Sequence, residues 1–157
     1  MKLIDCEMCS LNRLHISSPS GHYPANVMFI FSREYDSELC KNKESEIVRS
    51  LNYYLNHDWY KTYAVKCCVR SNISNTNIIN CRKWLKFEID KVNPYLILLF
   101  GNISVLAIFG KKWKLRQNVF YAKDNKKYFI CESVNGNIDV LNDNLKRVTQ
   151  YIQEYYR

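Results

Sequence analysis

Two short apolar runs, Val27-Met28-Phe29-Ile30-Phe31 and Tyr95 to Phe100, do most to limit what this chain can fold into. A strand with one wet face alternates apolar and polar side chains. A run without alternation must be covered on both faces, which is the environment of a parallel strand between two helix layers. Turn-forming residues bound both runs: Pro24 and Asn26 before the first, Asn93-Pro94 before the second and Gly101 after it.

The segments between the runs carry helical spacing. From Glu44 to Asn56 the apolar residues Ile47, Val48, Leu51, Tyr54 and Leu55 share one face. A second helix is predicted from Asn77 to Val92, capped by Thr76, with Ile78, Ile79, Trp84, Leu85, Phe87 and Ile89 packing inward. Residues 70–77 read as the loop before it. Trp59 to Cys67 is rich in β-formers and reads as a strand. Ser104 to Phe109 reads as a short helix closed by Gly110. Asn118 to Ala122 and Lys127 to Cys131 read as strands joined by a turn, and Ile138 to Tyr155 as a closing helix. Residues 1–22 read as irregular, apart from a short helix through Leu14. Strands alternating with helices give an α/β fold, a three-layer α/β/α sandwich with a mainly parallel central sheet. The 157 residues form one domain, 1–157.

Hydrophobic residues make up 47% of the chain, which excludes a disordered polypeptide, and no apolar run is long enough to cross a bilayer. The N-terminus has no apolar signal core, so the expectation is an intracellular, cytoplasmic protein with no membrane association. The Lys-, Asn- and Ile-rich composition suits an AT-rich genome such as that of a phage or a low-GC bacterium. A formal charge of +8 on a domain this small points to a polyanionic partner, DNA foremost, with a protein partner as the second expectation. The cations expected to meet phosphates are Lys66, Arg70, Arg82 and the basic patch Lys111, Lys112 and Lys114, with Trp113 as a stacking ring.

Seven cysteines in a reducing compartment read as metal ligands or core thiols rather than disulfides. Four stand out. Cys6 and Cys9 form a C-x-x-C pair, and Cys67 and Cys81 follow after a gap of 57 residues. Thiolates select zinc or iron–sulfur clusters. Structural zinc uses two closely spaced pairs, whereas Cys67 and Cys81 stand 14 positions apart, which favours a cluster over zinc. Either metal would clasp residues 1–22 onto the domain.

The order C-x-x-C, V-M-F-I, V-K-C, C-R-x-W-L-x-x-E-I and N-P-Y-L-I-L-L-F-G resembles the iron–sulfur uracil-DNA glycosylases, family 4 with family 5 close to it. The likeness spans roughly residues 5–135. It is specific at Cys6/Cys9, at Val65-Lys66-Cys67 and from Cys81 through Gly101. It implies a uracil-DNA-glycosylase-like fold, with a 4Fe-4S cluster on Cys6, Cys9, Cys67 and Cys81.

The family's catalytic motifs are replaced. Where its first strand leads into G-E-A-P-G, whose acid positions the attacking water, this chain reads Phe31-Ser32-Arg33-Glu34-Tyr35. Where a proline–phenylalanine pair stacks on uracil, it reads Cys40-Lys41-Asn42-Lys43. Tyr63 stands in place of the asparagine that reads the uracil edge, and Glu132-Ser133 in place of H-P-S. A glutamate there opposes the charge developing on a departing base. The resemblance therefore implies a DNA-binding, iron–sulfur protein without glycosylase activity, acting as a replication or transcription accessory. The alternative is a divergent uracil-DNA glycosylase in base-excision repair, with Glu34, Asp36 and Glu132 as its candidate catalytic carboxylates.

Overall fold

The computed structural model describes residues 16–34, 37–67, 72–110 and 116–156. In chain order these form β1 (Ser20–Gly21), β2 (Val27–Phe31), α1 (Glu38–Leu55), β3 (Trp59–Tyr63), α2 (Asn75–Val92), β4 (Leu96–Phe100), α3 (Asn102–Phe109), β5 (Phe120–Lys123), β6 (Lys126–Cys131) and α4 (Ile138–Tyr155). The strands make one mixed sheet of order β1-β3-β2-β4-β6-β5. Its four central strands, β3, β2, β4 and β6, run parallel. The two edge strands pair antiparallel.

The unalternating runs account for the layers. In β2, Met28 and Ile30 face one core while Val27, Phe29 and Phe31 face the other; in β4, Ile97 and Leu99 oppose Leu96, Leu98 and Phe100 in the same way. The first core is covered by α2 and α3, through residues such as Leu85, Ile89, Val105 and Ile108. The second is covered by α1 and α4, through Ile47, Leu51, Val148 and Ile152. The three-layer α/β/α arrangement expected from the sequence is thus present. No helix among the described residues is long and apolar enough to cross a membrane.

Several boundaries differ from the sequence reading, each for a local reason. Helix α1 begins at Glu38, because Cys40 and Glu44 extend its buried stripe upstream. Helix α2 begins at Asn75 and is capped by Ser74, not Thr76. The Ser74 side chain accepts from the Asn77 backbone N–H, and the Asn77 side chain accepts from the Ser74 backbone N–H. Residues 75–77 are therefore helix rather than loop. Strand β3 ends at Tyr63, after which the Ala64 and Val65 N–H groups donate to the Phe31 and Ser32 carbonyls. Ser20 and Gly21, expected to be irregular, add a short edge strand on β3. Ile79 and Phe87, expected in the core, are 55% and 43% exposed. The predicted helix through Leu14 lies outside the described residues.

Candidate functional site at the carboxyl ends of the strands

In an open parallel sheet, ligands enter where neighbouring strands send their connections in opposite directions. Here β2 leads through α1 toward β3, while β4, on its other side, leads through α3 toward β6. The crevice between the carboxyl ends of β2 and β4 is therefore the place where this topology offers a site.

Small residues pack closely at its floor. The buried Ser32 hydroxyl donates to the Phe100 carbonyl at 2.8 Å. Gly101 has φ +84°, and a Cβ placed there would lie 2.8 Å from Ser32 Oγ and 3.2 Å from Ser133 Cβ, so only glycine fits. The Ser104 hydroxyl donates to the Gly101 carbonyl at 2.7 Å and fixes the first turn of α3. Beneath, the Phe31 and Phe100 rings stack with centroids 4.5 Å apart.

The candidate carboxylates serve different neighbours. Glu132 turns back on its own loop, where Oε1 accepts from the Ser133 N–H at 2.7 Å and Oε2 from Gln117 at 3.3 Å. The Asn144 side chain holds the Glu132 N–H at 2.7 Å. Glu34 lies near Glu44, a buried residue of α1 that the sequence reading did not single out. Glu44 Oε2 accepts from the Tyr63 hydroxyl at 2.8 Å, and Lys61 Nζ donates to that hydroxyl at 3.2 Å. Burial pushes the Glu44 carboxyl above the usual carboxylate range; the Tyr63 hydrogen bond and Lys61 oppose that rise, and the charge of Glu34 adds to it. Tyr63 thus spends its hydroxyl on α1. Glu44 sits four residues after Cys40 and seven before Leu51, so helical spacing alone placed it on the buried stripe. Asp36 lies outside the described residues.

Two of the three histidines are described, and both sit away from the crevice. The His22 N–H pairs with the Trp59 carbonyl at the amino end of β3, and His57 precedes that strand.

On the α2 side of the sheet, Cys67 and Cys81 are buried in the same core. Ile16 bridges antiparallel to Cys67, and the Ser17 N–H donates to the Lys66 carbonyl, so the chain leading from the N-terminal segment is tied beside Cys67. Cys6 and Cys9 lie outside the described residues. Among the described residues no group of three or more metal-binding side chains is present.

Lys66 corrects an expectation. It was predicted to meet phosphate, but it is buried, and its ammonium is paired with Glu88 and donates to the Thr62 hydroxyl at 2.7 Å. Thr62 donates in turn to Glu88 Oε2 at 2.9 Å, and the Tyr60 hydroxyl to Oε1 at 3.4 Å. Burial pushes the Lys66 amine below its ordinary value, while Glu88 and then the nearby Cys81 pull it back up. Cys81 and Glu88 are seven residues apart on one buried face of α2, which puts the ion pair beside the thiols. Of the other predicted phosphate contacts, Arg82 is exposed on α2. Arg70, Lys111, Lys112, Trp113 and Lys114 lie outside the described residues.

No protein-family model matches the chain, and no curated protein matches its sequence.

Proposed function

We propose that this is a uracil-DNA-glycosylase-like protein that carries a 4Fe-4S cluster on Cys6, Cys9, Cys67 and Cys81 and binds DNA without hydrolysing the N-glycosidic bond. Zinc on the same four thiols is the alternative metal. The observation that carries the reading is the make-up of the crevice floor among the described residues. Ser32, Gly101 and Ser133 close together where a flipped base would have to enter. Excision also needs a positioned water and a donor for the departing base. The described residues offer carboxylates and hydroxyls there, and the two described imidazoles sit at the far end of β3. The charge of +8 supports a polyanionic partner. An accessory role in replication or transcription suits a protein that holds DNA without altering it.

The second reading, a divergent glycosylase, is favoured by one observation. The charge of Glu34 acts on Glu44, a buried carboxyl that burial holds toward its protonated form, as a general acid requires.

The test is direct. Protein prepared without oxygen is assayed for iron and sulfide, then titrated with single-stranded DNA at rising salt. The reading expects about four irons per chain and an affinity that falls linearly on a log–log salt plot. Metal-free protein that is fully folded, or no DNA binding at low salt, would remove it.

A further inference from the structure

The outer side of α2 carries a feature the crevice does not explain. Lys83, Phe87 and Lys91 follow one another at four-residue intervals and so form a single exposed row, with Ile79 at its head. Ile79 is 55% exposed and Phe87 43%, unusual for large apolar side chains on a helix whose other face is fully packed. The ammonium of Lys91 lies 5.7 Å from the centre of the Phe87 ring.

Two concavities flank this row. On one side is a groove of about 490 Å³ between α2 and the β5–β6 turn. Its cations are Arg82, Lys83, Lys86, Lys123 and Lys126, against two acids, Asp90 and Asp124. Lys123 and Lys126 also donate to the Ile108 and Pro94 carbonyls, which fixes their ammonium groups at the groove wall. On the other side is a pocket of about 260 Å³ between Tyr23, Tyr60 and Phe87, with Lys91 at its margin. Tyr23 is 66% exposed. This pocket is smaller than a drug-sized site; three aromatic rings line it, together with Glu88, Lys91 and Val92.

A cationic groove beside an aromatic pocket is the pairing that holds single-stranded nucleic acid: the cations track the backbone, and the rings stack on a base that a duplex would keep hidden. We infer that single-stranded DNA lies across the outer side of α2, with its phosphates on Arg82, Lys83 and Lys86 and one unstacked base between Tyr23 and Phe87. The inference rests on the DNA-binding reading above and gives it a location remote from the crevice floor. It also gives the two exposed apolar side chains on α2, Ile79 and Phe87, a role.

The test uses the full-length, metal-loaded protein and fluorescein-labelled oligo(dT), read by anisotropy. Reversing Arg82, Lys83 and Lys86 to Glu together should weaken binding by roughly 30-fold or more and flatten the log–log salt slope by about two to three. A control reversing Lys41, Lys146 and Arg147, on the opposite helix layer, should weaken it far less. Phe87→Ala should weaken oligo(dT) binding roughly tenfold and leave the salt slope unchanged. It should also abolish the preference of the native protein for oligo(dT) over an abasic oligomer of the same length. All these positions are exposed or half-exposed, so circular dichroism should be unaltered in each variant. If the native protein binds oligo(dT) but the α2 variants bind as well as it does, or no worse than the control, the location is wrong while the DNA-binding reading stands. If the native protein does not bind oligo(dT), both fall. Equal losses on base-bearing and abasic strands in Phe87→Ala would overturn the stacking pocket.

Discussion

Strand β3 meets a buried glutamate on each side of the sheet, and the two are treated differently. Toward α2, Thr62 and Tyr60 meet Glu88, and the whole charge of Lys66 is brought in to pair with it. Toward α1, Tyr63 meets Glu44, but the nearest cation, Lys61, stands 3.7 Å from the carboxylate and is partly open to solvent. Among the described residues the second carboxylate oxygen of Glu44 has no hydrogen-bond partner. The ingredients are the same, a helix carboxyl, a strand hydroxyl and a lysine two or four residues from it. What differs is compensation. A carboxylate sealed from water must be paired or take up a proton. Glu88 follows the first course and Glu44 leans to the second. The fully paired network lies on the α2 side, in the core that also holds Cys67 and Cys81; the half-paired one lies on the α1 side.

Breaking the pair on the α2 side should have the largest effect. Lys66→Met or Glu88→Leu alone leaves an uncompensated buried charge and should cost about 3–5 kcal/mol in urea unfolding. Replacing both together should recover most of that loss, because an apolar pair of similar volume has no charge to desolvate. Single variants that lose less than about 1 kcal/mol would mean that Lys66 and Glu88 are not the compensated pair described.

Tyr63→Phe should cost less, about 1–3 kcal/mol, since it removes the hydroxyl that donates to Glu44 Oε2 and leaves that oxygen only Lys61, 3.7 Å away. A loss as large as that of Lys66→Met would erase the contrast between the two sides.

Glu44→Gln should have the smallest effect at acidic pH and the most informative pH dependence. The folded protein holds the Glu44 proton more tightly than the unfolded chain does. The native state therefore binds more protons above the ordinary carboxylate range, and its contribution to stability is full below that range and falls as pH rises. Gln cannot ionise, so the variant should lose that decline. Thermal melts between pH 4 and 8 with parallel profiles for native and variant would contradict the assignment.

The sequence made the sheet legible because β2 and β4 are buried on both faces, a demand that only an uninterrupted apolar run satisfies. Gly110 and Asn93 ended α3 and α2 as expected. The start of α1 was harder to read, since a buried stripe that begins with Cys40 and Glu44 does not look apolar. Thr76 was the wrong cap because Ser74, two residues earlier, has Asn77 at the spacing for a reciprocal bond. Both β3 networks were invisible. Lys66 and Glu88 are 22 residues apart, and Glu44 and Tyr63 19, so neither pairing exists before the sheet brings the elements together. The same limit explains Lys66: its charge reads as surface in a sequence, and only tertiary packing shows it enclosed. Phe87 failed in the opposite direction, an aromatic residue that belongs by type in the core and by helical phase on the outside.

The proposal that most needs testing is that this chain keeps a glycosylase-like framework without the excision chemistry. The most direct measurement is uracil release from single-stranded DNA by anaerobically prepared, iron-loaded protein, at concentrations where anisotropy shows the DNA to be bound. The account predicts saturated binding with no free uracil above the protein-free control. Catalytic release, with more than one uracil freed per protein chain, would contradict it.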